Sequence, residues 1–323
     1  MKVLFTDPSG DLALERELLG AALAGPDPAA DGVEVLVVHQ TIVDAACLAR
    51  YPNLKGVVRL GVGFDKVDLA ACAAQGVRVA NVPDYCTGEV ADTAMAMILD
   101  LVRGVHELEA ALRQSPAAWQ SLSLARVRRS AALVLGVVGA GRIGRAVLER
   151  AAGFGFTRIF CDPAVAACAG AERVERLETL LARADIVSLH VPLNPATRGL
   201  IDAGFLARMK PGALLVNTAR GGLLADQQAL LEALAQGRLA GAAFDVLPIE
   251  PPLGQPLFEA WRQRDPSVHG RLILNPHNAF YSQEAAQSVR RLACEEAIRM
   301  LAGQPLRHPV SDAQDPTATS FSE

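Results

Sequence analysis

Aromatic residues are scarce in this chain: ten Phe, three Tyr and two Trp among 323 residues. An excess of one charge is missing too. Lys and Arg total 31 against 35 Asp and Glu, a formal net charge of -4, so there is no electrostatic case for a nucleic-acid partner. No Lys/Arg block makes a polybasic tail, and the short cluster from Arg126 to Arg129 reads as a solvated loop. The six cysteines (Cys47, Cys72, Cys86, Cys161, Cys168 and Cys294) show neither CxxC pairing nor metal-ligand spacing. Free thiols in a reducing compartment, and no bound metal, are the expectation. Long hydrophobic runs are also absent. The longest, residues 131–141, is too short to span a bilayer, and the apolar stretch after Met1 is too short for a signal-peptide core. A soluble, cytoplasmic chain with no membrane partner is therefore expected.

What is present is Ala, Val, Leu and Gly. Apolar residues make up 51% of the chain, which suits an α/β protein with Val-rich buried strands. The length favours two domains. Short apolar runs at 3–6, 33–39, 57–60 and 77–80 read as strands, with helical patterns at 11–19, 44–50 and 66–74 between them. This β-α rhythm implies a mainly parallel sheet. Pro83 and Asp84 break it. A helix is expected over 89–103, with Thr87 as N-cap and Val90, Ala94, Met97, Ile98 and Leu101 at helical spacing. A polar connection covers 113–130. A second series then supplies strands at 133–139, 158–161, 186–191, 213–217, 241–246 and 272–274. Six strands with helices between them match a complete dinucleotide-binding domain. The helix expected over 283–301 returns to pack on the first domain, which is then built from both chain ends. The tail after Pro309 is polar and short and is expected to fray.

Gly139-Ala140-Gly141-Arg142-Ile143-Gly144 is a GxGxxG placed after an apolar strand and opening a helix that carries Ala146, Val147 and Arg150. Gly139 makes the tight turn, Gly141 lets the backbone approach a pyrophosphate, and Gly144 lets helix and strand pack closely. The helix N-terminus, with Arg142 and Ile143, turns unpaired N–H groups toward the diphosphate. Asp162, at the end of the next strand, suits the ribose hydroxyls of NAD and would repel the 2′-phosphate of NADP. Ala164 and Val165 offer no Arg to receive that phosphate.

Further ordered motifs run along the chain: Arg59-Leu60-Gly61-Val62-Gly63-Phe64-Asp65-Lys66-Val67-Asp68, Asn81-Val82-Pro83, Glu89-Val90-Ala91-Asp92, His190-Val191-Pro192-Leu193 and Met209-Lys210-Pro211-Gly212. They continue in Asn217-Thr218-Ala219-Arg220-Gly221-Gly222, Phe244-Asp245-Val246 through Glu250-Pro251, and Pro276-His277-Asn278-Ala279-Phe280-Tyr281-Ser282. Over nearly its whole length the chain resembles the D-isomer-specific 2-hydroxyacid dehydrogenases, most closely their C-terminal-binding-protein branch. The resemblance implies α/β architecture with two doubly wound parallel-sheet domains. A Rossmann NAD-binding domain (85–282) is inserted in a flavodoxin-like substrate-binding domain (1–84 and 283–323). It implies a homodimer with the connection after Arg113 as an interface arm, and hydride transfer between NAD(H) and a 2-keto acid/D-2-hydroxy acid pair.

On the same resemblance Arg220, Glu250 and His277 are the catalytic set. Histidine supplies or takes a proton near neutral pH. A carboxylate beside it orients the ring and favours its charged form. A guanidinium holds the substrate carboxylate and polarises the keto oxygen. Further cofactor contacts are implied for Val191 and Thr197 near the adenosine and diphosphate, Thr218 and Ala219 near the nicotinamide ribose, Asp245 on the carboxamide, and Ala279. Substrate contacts are implied for Arg59, Val62, Gly63, Arg220 and Phe280, with the 60–63 backbone as an anion nest. Arg59 reads equally as an interdomain salt bridge, and Phe280, where the branch carries Trp, as packing. Asn275 departs from the family's usual Thr, and the 261–270 segment is long and polar. Two alternatives stay open: an NAD(H)-sensing scaffold or corepressor with weak chemistry, and oxidation of a phosphorus or one-carbon acid.

Overall fold

Val-rich runs become strands because branched side chains pack well on a pleated surface covered on both sides. The computed structural model describes residues 2–8, 10–25 and 28–310. The chain opens with β1 (Lys2–Phe5), α1 (Ala13–Leu19), β2 (Val33–Val38), α2 (Ala45–Ala49), β3 (Gly56–Arg59), α3 (Leu69–Ala74) and β4 (Arg78–Asn81). These four strands pair side by side, all parallel. Leu23 makes a single parallel bridge to Val3 on the free edge of β1. Counting it, the chain order across the sheet is the 2-1-3-4-5 of flavodoxin-like folds, with the second strand reduced to one bridge. Asp44 and Asp68 start α2 and α3 by accepting from the Cys47 and Ala71 N–H groups, each at 2.8 Å.

The next stretch holds α4 (Thr87–Arg103), α5 (Val105–Gln114), β5 (Val134–Val138), α6 (Arg142–Ala152), β6 (Thr157–Cys161), β7 (Glu172–Arg173) and α7 (Leu177–Arg183). It continues with β8 (Ile186–Leu189), α8 (Ala203–Arg208), β9 (Ala213–Asn217), α9 (Gln227–Ala235), β10 (Leu239–Phe244), α10 (Pro256–Arg262) and β11 (Leu272–Leu274). The sheet order is β11-β10-β9-β8-β5-β6-β7. All pairs are parallel. The chain starts at β5, runs outward to β7, returns to β8 and runs out the other way. The reversal between β5 and β8 is where a doubly wound sheet opens a crevice beyond its strand ends. Apolar residues of α4 and α6 cover one face, and those of α7, α8 and α9 cover the other.

The chain closes with α11 (Gln283–Leu301) and β12 (Pro309–Val310). Helix α11 buries Val289, Ala293, Cys294, Ala297 and Met300 against β1, β2 and β3. Its Arg290 holds the buried Glu15 of α1 at 2.6 Å. Strand β12 pairs antiparallel with β4. The contacts divide the chain into two compact units, one built from the residues up to Cys86 and from Tyr281 onward, the other Thr87–Phe280.

The structure adds elements that the sequence pattern does not disclose. Strand β7 is two charged residues at a sheet edge, too short for any period-2 signal. Helix α5, half of it apolar, is separated from α4 only by Gly104 at φ 64. The nucleotide-type sheet thus has seven strands rather than six. The tail expected to fray lies, beyond Val310, outside the described residues.

Candidate active site

The glycine turn sits at the end of β5. Gly139 has φ 88, and a Cβ there would lie 2.8 Å from the His190 carbonyl oxygen, so the position admits only glycine. A Cβ on Gly144 would lie 2.0 Å from the Gly139 carbonyl oxygen, which records how closely α6 packs on its strand. Gly141 differs: nothing lies within 4 Å of its Cβ position. The protein makes no internal use of that space. Arg142 and Ile143 open α6. Asp162 Oδ2 accepts from the Ala140 N–H at 2.7 Å, and Oδ1 accepts from Ala164 and Val165 N–H at 2.8 and 3.0 Å. The expected ribose acceptor therefore also clamps the glycine turn, with acceptor capacity left on both oxygens.

Val191 is buried just past β8. Thr197 braces the 192–197 turn: its hydroxyl donates to the Pro192 carbonyl at 2.6 Å and accepts from the Asn194 N–H at 3.0 Å. Thr218 is the opposite case: its Oγ1 is buried and has no hydrogen-bond partner among the described residues. An orphaned hydroxyl and an open glycine at the same sheet end fit a dinucleotide. His190 sits beside Gly139, with Ser188 Oγ 2.8 Å from its Nε2. Burial pushes His190 down to about 4, so it is neutral at physiological pH, although part of the residue reaches the surface.

Arg220, Glu250 and His277 follow β9, β10 and β11, three adjacent strands. The Asn217 side chain accepts from Ala219 N–H at 3.0 Å and donates to the Arg220 carbonyl at 2.9 Å, fixing the loop that presents Arg220 and Ala219. Gly221 lets this loop meet the next, since a Cβ there would lie 1.9 Å from the Leu247 carbonyl oxygen. Glu250 Oε1 accepts from Leu247 N–H at 3.0 Å, and Oε2 lies 2.6 Å from His277 Nδ1. His277 has φ 52, and its N–H donates to the Asp245 carbonyl at 2.7 Å. The Phe280 ring meets the imidazole edge-on, with centroids 6.4 Å apart. Burial raises Glu250, but the His277 and Leu247 hydrogen bonds and the His277 and Arg220 charges outweigh it, and its carboxyl is held below the usual range. Asp245 is buried. Burial pushes it up against the donors from Asn275, Asn278 and Ala279 and the His277 charge. The arrangement leaves imidazole Nε2 for proton exchange, backed by an ionised carboxylate, with a guanidinium close enough to feel that charge. The roles of Gly221, Asn217 and Asn275 as supports escaped the sequence reading. The Gly221-Gly222 pair directly after Arg220, and Asn275 standing where the family usually has Thr, were the signals for them.

Arg59, Val62 and Gly63 belong to the other unit. Arg59 ends β3 and donates to the Leu60 carbonyl. The Leu60 and Gly61 N–H groups are committed to the Val38 and Arg59 carbonyls at 2.8 and 2.9 Å. Two of the four N–H groups expected to form an anion nest over 60–63 are therefore already engaged within the fold. Asn81 Nδ2 holds the Val62 carbonyl at 2.7 Å.

The description "D-isomer specific 2-hydroxyacid dehydrogenase, NAD binding domain" matches residues 95–279, which include the glycine turn and the Arg220, Glu250 and His277 positions. The chain belongs to this family. The cofactor of the Thr87–Phe280 unit is accordingly a nicotinamide dinucleotide. The chain is similar to the D-3-phosphoglycerate dehydrogenase of Mycobacterium tuberculosis, with 38% identity over 293 residues, 90% of this chain and 52% of the relative. It spans about half the length of the curated relatives it matches. Among solved structures it is similar to a D-lactate dehydrogenase from Aquifex aeolicus in complex with NAD and lactic acid. The TM-score there is 0.82 at 27% identity, covering 94% of this chain and 96% of that one. A 2-hydroxyacid dehydrogenase from Ketogulonicigenium vulgare matches with TM-score 0.80 and 31% identity, covering 96% of this chain and 98% of that one. Among the described residues no helix is long and apolar enough to cross a membrane.

Proposed function

We propose that the protein is an NAD-dependent D-2-hydroxyacid dehydrogenase that interconverts a 2-keto acid and its D-2-hydroxy acid. The observation that carries this reading is the 2.6 Å contact between His277 Nδ1 and Glu250 Oε2 at the strand ends that also carry Arg220. Bound NAD(H) supplies or accepts the hydride. His277 donates a proton from Nε2 to the keto oxygen in reduction and removes it in oxidation. Glu250 keeps the ring oriented and stabilises its charge. Arg220 takes the substrate carboxylate and polarises the carbonyl. Arg59, Val62, Gly63 and Phe280 are assigned to the substrate on family resemblance. Gly139, Gly141, Arg142, Ile143, Gly144, Asp162, Val191, Thr197, Thr218, Ala219, Asp245 and Ala279 are assigned to the cofactor. A closer kinship to the C-terminal-binding-protein branch is part of this reading; Arg59 matches that branch, and Phe280 departs from its Trp. The scaffold alternative is not favoured, because a scaffold has no need of a complete acid, base and guanidinium set.

The test is an NADH-oxidation screen over 2-keto acids graded by side-chain size and charge, with chiral chromatography of the product. A D product and at least one efficient substrate are expected; an L product or no turnover rejects the reading. NADH should be preferred to NADPH in kcat/KM, because Asp162 repels a 2′-phosphate, and equal efficiency would remove that claim. We place the chain in the cytoplasm, supported by six cysteines that are all free. We also read it as a homodimer through the Thr87–Phe280 unit. Val105 and Trp119, in and after α5, are 57% and 72% exposed, beside and within the connection that the resemblance makes an interface arm. Light scattering at micromolar concentration that shows only monomer would count against the dimer.

A further inference from the structure

Asn275 lies directly after β11, where its backbone N–H donates to the Phe244 carbonyl at 2.9 Å. Its side-chain Nδ2 lies 2.5 Å from Asp245 Oδ1. A carboxylate only accepts, so the amide must present its NH₂ group here and not its oxygen. The same Oδ1 also accepts from Asn278 N–H at 2.9 Å and Ala279 N–H at 3.1 Å. Oδ2 has one contact, a long one of 3.2 Å from Ala279 N–H. The donors are thus gathered on one oxygen, and the other keeps nearly its whole acceptor capacity. Asp245 is only 3% exposed.

We propose that Asn275 is a positioning residue: by occupying Asp245 Oδ1 it turns Oδ2 outward as an acceptor for the amide of the nicotinamide ring. This rests on the reading that the unit binds NAD(H) with Asp245 at the carboxamide. Asn275 gives Asp245 a side-chain donor, and the Asn278 and Ala279 donors are backbone N–H groups of the same turn. Burial drives Asp245 toward its neutral form, and Asn275 opposes that shift. The other charged group that bears on Asp245 is His277, itself paired with Glu250, which in turn feels Arg220. Without the Asn275 donor, Asp245 takes up a proton more readily as pH falls, and a protonated acid is a poorer acceptor. The Thr usual in the family also carries a donor, which gives a matched pair of variants, Asn275→Thr and Asn275→Val, differing by one hydroxyl.

The test measures NADH affinity by fluorescence titration from about pH 8 to about pH 6. It also follows the Asp245 carboxyl by NMR in the cofactor-free full chain, with Asp245→Asn to assign the signal. In Asn275→Val the NADH Kd should rise more steeply as pH falls than in wild type or Asn275→Thr, because an Asp245 that takes up its proton at higher pH loses its acceptor sooner. In the cofactor-free protein the Asp245 signal should titrate at higher pH in the Val variant than in wild type. KM for NADH should rise more than kcat falls. Should Asn275→Val not fold, Asn275→Leu, which keeps the branching at Cγ and has no donor, replaces it. Identical NADH titrations and identical carboxyl titrations in Val and Thr variants overturn the proposal while leaving the dehydrogenase reading intact. A wild-type chain that binds no NADH overturns both.

Discussion

The pair His277 and Glu250 sets the chemistry at the scale of single side chains. Replacing His277 with Ala removes the proton donor and should lower kcat by about 10² to 10⁴, the usual worth of a positioned acid or base. NADH affinity, set by other residues, should change far less in a fluorescence titration. Near wild-type reduction with intact NADH binding would rule out His277 as donor. Glu250 is held below the ordinary carboxylate range. Its negative charge is therefore present through the neutral range and is lost only as pH falls through that lowered value. Glu250→Gln keeps the shape and removes the charge that favours a proton on the ring. The reductive rate should then fall off at lower pH than in wild type, and the oxidative rate should begin to rise at lower pH. An unmoved profile would leave Glu250 an orienting role only. The residue types were legible in sequence through resemblance. The left-handed φ of His277 was not, because the turn is fixed in part by the bond from its N–H to the Asp245 carbonyl, 32 residues earlier in the chain.

At the scale of elements, the three motif glycines separate into packing and binding roles. Gly144 meets the Gly139 backbone, so Gly144→Ala must push α6 off β5. A loss of about 1–3 kcal/mol or more is expected, the range of overpacked sites, along with weakened NADH binding. Gly141 faces open space at φ -68, a conformation Ala adopts freely. Gly141→Ala should leave the melting temperature almost unchanged and weaken NADH binding at least about tenfold, because the methyl group occupies the room the pyrophosphate needs. Thermal melts beside NADH titrations decide this. A Gly141→Ala variant with normal affinity would contradict the assignment of that space to the cofactor. Period and punctuation made most strands and α11 readable, since Val-rich runs and helical spacing are local. Strand β7 escaped because two charged edge residues carry no such period, and α5 because its apolar spacing continues directly from that of α4 across Gly104.

For the molecule as a whole, the chain forms two compact units, one of them closed by α11 and β12 returning from the far end. A ligand that binds only the folded state stabilises by RT ln(1 + [L]/Kd), about 2.7 kcal/mol at a hundredfold excess over Kd. NADH should therefore raise the melting temperature in a concentration-dependent way, and NADPH should raise it less. If calorimetry resolves two transitions, NADH should move that of the Thr87–Phe280 unit. A shift produced equally by NADPH would argue against Asp162 as the discriminating residue.

The sequence by itself determined the alternation of strands and helices, the glycine turn and the residue types of the acid–base set. Each of these depends on local spacing or on a short ordered motif. Tertiary structure decided which hydroxyl braces a turn, as in Thr197, and which is left open, as in Thr218. It decided that Asp162 clamps the turn it was expected only to follow, and that Gly221 lets two loops touch. It also decided that Asn275 holds Asp245 across 30 residues of chain. The reason is physical: hydrogen-bond satisfaction and close backbone approach are properties of atoms brought together by packing, and no local period in the chain encodes them.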